Sequence, residues 1–203
     1  MKIVCVGRNY ADHARELGNQ IPEEPVLFIK PDSAIYPHKN YYIPHITSEL
    51  HYECELVVRI DRVGKHIAPE YAHTYYSHLT LGIDFTARDL QNELKSKGLP
   101  WEKAKGFDGS AVIGTFVPKD QLPPIDQLGF QLLIDGQVRQ HGHTSHMLYP
   151  VDRLISYISQ FFTLKKGDLI FTGTPAGVGP VHPGMTLQGI LDLKPVLDLH
   201  IKA

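Results

Sequence analysis

The chain has 203 residues, 42% of them hydrophobic, and a chain of this length buries roughly 70% of its unfolded surface. Single strand-rich domains often reach about 200–250 residues, so one catalytic-size domain over residues 1–203 is expected. Twenty Lys and Arg against 22 Asp and Glu leave a formal charge of −2, which lacks the basic surplus of a nucleic-acid binder. Disorder is excluded by the even spread of apolar and aromatic residues.

Taken in chain order, the first apolar run, Ile3 to Val6, stops at Gly7 and Arg8 and is too short for a signal-peptide core. No later segment approaches a membrane span. Asn9 opens a predicted short helix that runs to Leu17. Strands are predicted at Val26–Ile29, Leu50–Ile60, Thr80–Ile83, Phe130–Ile134, Leu169–Thr172 and Leu197–Ile201. Helices are expected at Pro69–Ser77, Thr86–Lys97 and Asp152–Phe162, with Gly98 as a stop signal for the second. Asp135-Gly136 marks a type I′ hairpin. The pattern is α+β and strand-rich, with peripheral helices. Only Cys5 and Cys54 occur, too few for a disulfide framework, and a cytoplasmic location is expected.

The segment from Leu50 to Val58 carries the clearest chemical signal. Alternation in a strand puts Leu50, Tyr52, Cys54, Leu56 and Val58 on one apolar face, and His51, Glu53, Glu55 and Val57 on the other. The residues after Glu55 are apolar on both faces, which predicts burial. Two buried carboxylates about 7 Å apart along a strand repel each other unless a divalent cation joins them. The alternative is a half-exposed strand whose glutamates face water. Asp84, at a strand-to-helix junction, is either a third oxygen ligand or a first-turn acid of the helix. Three carboxylates without cysteine specify a hard cation, magnesium or manganese rather than zinc.

His13 and Glu16 share a face of the first helix, where a carboxylate raises the basicity of imidazole and makes it a general base. Read alone, the pair is an ordinary surface contact. Lys105 lies in a mixed polar segment and suits an anionic substrate, or simple solvation. The Gly173–Pro180 loop has no Gly-Lys-Ser/Thr and no dinucleotide spacing, so nucleotide binding is rejected. His141, His143 and His146 offer three imidazoles for zinc, but no carboxylate or cysteine stands near them in the sequence.

Ordered motifs from end to end resemble the fumarylacetoacetate hydrolase family, in its small acylpyruvase and oxaloacetate decarboxylase branch. They include Gly7-Arg8-Asn9-Tyr10-Ala11-Asp12-His13, Phe28-Ile29-Lys30-Pro31, His51-Tyr52-Glu53-Cys54-Glu55-Leu56, Thr86-Ala87-Arg88-Asp89-Leu90-Gln91, Ala104-Lys105-Gly106-Phe107-Asp108 and Thr172-Gly173-Thr174-Pro175-Ala176-Gly177. Gly106 and His146 depart from the residues usual at those positions. The resemblance implies a mixed β-sheet roll assembled as a homodimer, with Mg2+ or Mn2+ held by Glu53, Glu55 and Asp84. It implies His13, Glu16 and Lys105 as catalytic residues, with residues 8–20 forming a mobile lid. Arg88, Gln91, Lys105 and Thr174 are implied to contact the substrate, a small 2-oxo acid.

The implied activity is hydrolysis of acylpyruvates or decarboxylation of oxaloacetate, both through a metal-bound enolate. An isomerase (an oxaloacetate keto–enol tautomerase, or an enzyme of aromatic-acid breakdown) is the alternative, because tautomerisation needs only proton transfer at the same carbon. A non-catalytic metabolite-binding module is a third reading, and the His13–Glu16 pair argues against it, since binding needs no base.

Overall fold

The computed structural model describes residues 1–16, 18 and 20–203. Strands run through most of it and form three sheets. The largest has the order Val26–Lys30, Ile3–Gly7, Leu169–Phe171, Cys54–Ile60, Tyr76–Asp84, Ala111–Ile113 and Ile35–Tyr36, with Val117–Pro118 also paired to Tyr76–Asp84. It is mixed: Ile3–Gly7 runs parallel to Leu169–Phe171, while its other neighbour, Val26–Lys30, is antiparallel. A second, five-stranded sheet contains the hairpin Gly129–Ile134 and Gln137–His143, and a three-stranded one joins Gly179–Pro180, Leu50–Tyr52 and Thr86–Ala87. This is the expected strand-rich α+β architecture with few helices.

The apolar alternation read from Leu50 to Val58 appears directly in the packing. Leu50, Tyr52, Cys54, Leu56 and Val58 all enter the main core, whereas Val57 enters a smaller core on the opposite face with Ile3, Cys5 and Phe171. Burial on both faces makes Cys54–Ile60 a central strand, antiparallel to Leu169–Phe171 on one side and Tyr76–Asp84 on the other.

Three predicted elements differ from the observed ones. The expected strand Leu50–Ile60 is divided at Glu53, with Leu50–Tyr52 pairing in the small sheet and Cys54–Ile60 in the large one. Pro69–Ser77 is helical only over Pro69–Ala72, because Tyr76 is drawn into the nine-residue strand Tyr76–Asp84. Aromatic and β-branched residues after Ala72 suit that pleated surface better than a helix. The helix expected at Thr86–Lys97 is Arg88–Ser96, since Thr86 and Ala87 pair with His51 and Leu50. Pairing overrides local propensity there.

Other elements stand as read. Asp135 and Gly136 have φ of 51° and 78°, the pair of positive values a type I′ turn requires. Gly98, at φ 63°, ends its helix, and Val151–Phe161 buries Leu154, Ile155 and Ile158. The first helix is Ala11–Glu16; Leu17, its expected last residue, lies outside the described residues.

Candidate active site

The division of the strand at Glu53 helps to build the site. Where the backbone passes from the small sheet to the large one, Glu53 and Glu55 both remain inside, 6% and 2% exposed, so the water-facing alternative is excluded. Asp84 ends the neighbouring strand and is fully buried. It does not cap a helix; the helix that follows starts after Ala87, without a side-chain cap. One carboxylate oxygen from each of Glu53, Glu55 and Asp84 lies within 4.8 Å of the other two, the only such group of three His, Cys, Asp or Glu ligands among the described residues.

Three cations surround these acids. Lys105 Nζ donates to Glu53 Oε2 at 2.8 Å, to Asp84 Oδ2 at 2.8 Å and to Thr86 Oγ1 at 2.6 Å, which uses all three of its protons. Arg88 Nη2 donates to Glu53 Oε1 and Nη1 to Gln91 Oε1, both at 2.6 Å. Lys30, fully buried, approaches Asp84 Oδ1 at 2.7 Å and donates to the carbonyls of Lys105 and Ser110. Two polar atoms are nevertheless left without a hydrogen-bond partner: Asp84 Oδ1, ion-paired to Lys30 but off hydrogen-bond alignment, and Arg88 Nε.

The charges respond accordingly. Burial disfavours ionisation of Glu53, but Lys105 and Arg88 outweigh it and hold that carboxyl well below the usual carboxylate range. Glu55 behaves in the opposite way. Burial, followed by the charges of Asp84 and Glu53, pushes it well above its ordinary value, despite Lys105 and an N–H donated by Gly173 at 2.7 Å. Burial also opposes the charge of Lys105, and Asp84 and Glu53 overcome it to raise its pKa. A divalent cation held by the three carboxylates would favour ionised Glu55. The hard, all-oxygen donor set therefore fits magnesium or manganese.

His13 is 5% exposed and lines the same cleft as the acids. Its Nδ1 is 3.4 Å from Glu16 Oε2, and both carboxylate oxygens of Glu16 accept from the N–H of Gly177, at 3.1 and 3.2 Å. The loop after Leu169–Phe171 thus holds the carboxylate that faces the imidazole. Gly177 has φ 98°, and a Cβ there would lie 2.2 Å from the carbonyl oxygen of Arg139. Gly177→Ala is therefore expected to displace this loop and reduce kcat by about as much as Glu16→Ala, a comparison that steady-state kinetics of the two variants checks.

Thr174 is tied into the framework, with Oγ1 donating to Cys54 O and accepting from Gln140 Nε2, both at 2.8 Å. Its neighbourhood opens on the cleft, where it joins Arg88, Gln91, Lys105 and the acids. The structure thus brings every predicted site residue to one place. The histidine cluster does not converge in this way. His143 and His146 have ring centroids 5.7 Å apart, His143 Nδ1 pairs with Ser145, and among the described residues these histidines belong to no group of three that could hold a metal ion.

Sequence reasoning gave no role to Lys30 or Gln140, and to Asn9 only that of opening the first helix. Asn9 donates to the carbonyls of Tyr149 and Thr172 and accepts from Tyr149 N, pinning the start of the first helix to the rest of the fold. Gln140 accepts from Cys54 N as well as donating to Thr174. Their partners are up to 163 residues away, so no local pattern reveals them. Lys30 ends a strand whose apolar run, Val26 to Ile29, gives no hint that the next side chain is a buried cation. Removing one member of a buried pair costs about 3–5 kcal/mol. For a chain of this size, Lys30→Met should lower the thermal midpoint by roughly 6–20 °C, measured by calorimetry.

A strand-rich mixed fold enclosing a buried Glu-x-Glu and Asp cluster, faced by a His–Glu pair, defines a class of protein, and the comparisons agree with it. The family model described as fumarylacetoacetate (FAA) hydrolase C-terminal matches residues 2–195, and the chain belongs to the fumarylacetoacetate hydrolase family of enzymes. It is 46% identical to a Dictyostelium discoideum protein named mitochondrial oxaloacetate decarboxylase, over 92% of this chain and 87% of that one. It is 44% identical to the Bos taurus protein named mitochondrial oxaloacetate tautomerase FAHD1, over 95% of this chain and 89% of that one. A solved structure of fumarylpyruvate hydrolase from Pseudomonas aeruginosa, in complex with Mn2+ and pyruvate, superposes with a TM-score of 0.94 and 38% identity. The match covers 100% of this chain and 89% of that one.

Proposed function

We propose that this protein is a magnesium- or manganese-dependent enzyme acting on small 2-oxo acids, by acylpyruvate hydrolysis or oxaloacetate decarboxylation. The observation that carries the reading is the convergence of three buried carboxylates with His13 in one cleft. The names of its relatives support the substrate class. Glu53, Glu55 and Asp84 would hold the cation, which would supply Lewis acidity toward the oxygens of a 2-oxo acid.

The chain's own residues carry the other tasks. Lys105 neutralises part of the substrate's charge, and since its three protons are engaged by Glu53, Asp84 and Thr86, an incoming anion shares it with the acidic cluster. Arg88 Nε is a buried donor without a partner and suits a substrate oxygen. Gln91 orients Arg88, and Thr174 lies at the cleft beside Cys54. His13 accepts a proton from water at its ring nitrogen, while Glu16 fixes the ring and favours the imidazolium that results. The Ala11–Glu16 helix, with its flanking residues, is the proposed lid that excludes bulk water over the substrate.

Tautomerisation is favoured as a second reading by one specific point: the same base can move a proton at carbon with no attacking water, and relatives carry both names. Product analysis separates the two. With oxaloacetate, a decarboxylase releases pyruvate, whereas a tautomerase changes only the enol absorbance. Assembly as a homodimer and a cytoplasmic location belong to the same proposal. Two buried free thiols, Cys5 and Cys54, and the lack of any described helix long and apolar enough to cross a membrane support the location. Light scattering of the purified chain tests the dimer.

A further inference from the structure

Lys30 stands apart from the other cations at the acidic cluster. It ends the strand Val26–Lys30 and is fully buried. Its ammonium donates to the carbonyl of Lys105, to Ser110 O at 3.2 Å and to Ser110 Oγ at 3.1 Å. Three uncharged oxygens thus suffice for its three protons. Gly106 lets this cage close, since a Cβ there would crowd Glu102 O at 3.1 Å and Pro31 Cδ at 3.3 Å. Asp84 Oδ1 lies 2.7 Å from the same ammonium but off hydrogen-bond alignment, and it has no hydrogen-bond partner among the described residues. Lys30 therefore acts on Asp84 as a charge and not as a donor. Lys105 differs at Oδ2, to which it donates at 2.8 Å.

That charge completes a balance. Glu53, Glu55 and Asp84 are the only acids among the described residues that line the cleft. Ionised, they carry three negative charges, and Lys30, Lys105 and Arg88, each ion-paired to one or two of them, carry three positive ones. Arg8 and Lys95 line the same cleft and add further positive charge. All six residues of the balanced cluster are buried, so water screens their fields poorly. A divalent cation entering alone brings two uncompensated charges into that surrounding. An anionic 2-oxo acid entering with it offsets them.

We infer that Lys30, with Lys105 and Arg88, cancels the charge of the three carboxylates and thereby makes retention of the divalent cation depend on the anionic substrate. This rests on the reading of Glu53, Glu55 and Asp84 as metal ligands and deepens it. Lys30 is the positioning residue of this device, acting through Asp84. Coupling of this kind is reciprocal: the cation raises the affinity for the 2-oxo acid by the factor by which the acid raises that for the cation. Once the product anion leaves, the cation is held loosely. A purely structural Lys30 has the opposite signature, because loosening Asp84 can only weaken the metal site.

The test follows unbound Mn2+ by electron paramagnetic resonance during titration of the purified chain, with and without pyruvate. The wild type should bind Mn2+ roughly tenfold or more tightly when pyruvate is saturating. Lys30→Met keeps the length of the side chain and removes its charge. At a temperature where circular dichroism shows it folded, it should bind Mn2+ alone roughly tenfold or more tightly than the wild type and gain less from pyruvate. Arg88→Gln removes another of the three balancing charges and should shift binding of Mn2+ alone in the same direction, which decides the matter if Lys30→Met does not fold. Asp168→Asn, at a buried ion pair with Lys2 away from the cleft lining, should lower the thermal midpoint and leave Mn2+ binding unchanged. Unchanged or weaker binding of Mn2+ alone in the folded charge-removing variants, or equal wild-type affinity with and without pyruvate, would overturn the inference while leaving the metal site standing. No Mn2+ binding by any variant under either condition would refute the metal site itself, and the inference with it.

Discussion

Protein stripped of divalent cations by chelation is expected to lose turnover of 2-oxo acids, and added magnesium or manganese to restore it. The expectation follows from the arrangement of charge. Glu55 is buried beside Asp84 and Glu53, and all three push against its ionisation, with one lysine and one backbone N–H in compensation. Glu55→Gln removes a charge while nearly preserving shape. Metal affinity should therefore fall by at least tenfold, and activity at limiting metal should fall with it; saturating metal should recover much of the rate. Calorimetric titration of Mg2+ or Mn2+ into wild type and variant reads the first effect, and kinetics across metal concentration read the second. Unchanged metal affinity in Glu55→Gln would remove this glutamate from the ligand set.

His13→Ala should cost about 10²–10⁴-fold in kcat for acylpyruvate hydrolysis, the usual contribution of a positioned general base. His13 is buried in the cleft and Glu16 faces its Nδ1, so the opposite ring nitrogen is left for water. Glu16→Ala should cost less, because that carboxylate orients the ring and transfers no proton. Oxaloacetate decarboxylation requires no attacking water and should suffer less than hydrolysis from the same His13 change. Tautomerisation should fall with hydrolysis, since it too requires a base. Steady-state assays of all three reactions in both variants check this order, and an unimpaired hydrolysis rate in His13→Ala would show that the proton goes elsewhere.

The legible parts of this molecule were those written in short range. Alternation from Leu50 to Val58 foretold both the buried central strand and the inward pair Glu53 and Glu55, because side chains two apart share a face whatever lies beyond them. Asp135-Gly136 and Gly98 were readable for a similar reason: positive φ is a local demand with few residues to meet it. Boundaries failed where pairing decided them. Thr86 and Ala87 look helical in sequence and are strand because Leu50 and His51 lie opposite, and Tyr76 leaves its expected helix for the partner of Ile60.

The site followed the same division. Its acids were found from spacing and Asp84 from its place after a strand, while resemblance supplied the roles of His13, Glu16 and Lys105. What went unread was the set of distant partners: Lys30 against Asp84, Gln140 spanning Cys54 and Thr174, and Gly177 holding Glu16. Nothing local distinguishes such residues from solvated ones, since their partners meet them only after the sheets assemble.

In the proposed function the carboxylate cluster and His13 together perform metal-dependent chemistry on 2-oxo acids. The most direct measurement presents a panel of acylpyruvates and oxaloacetate to the protein, with and without magnesium, and follows both pyruvate release and enol absorbance. At least one of these signals is expected to rise only when the cation is present and to fall sharply in His13→Ala. Full turnover by the metal-free protein, or no change in either signal across the panel with magnesium added, would contradict it.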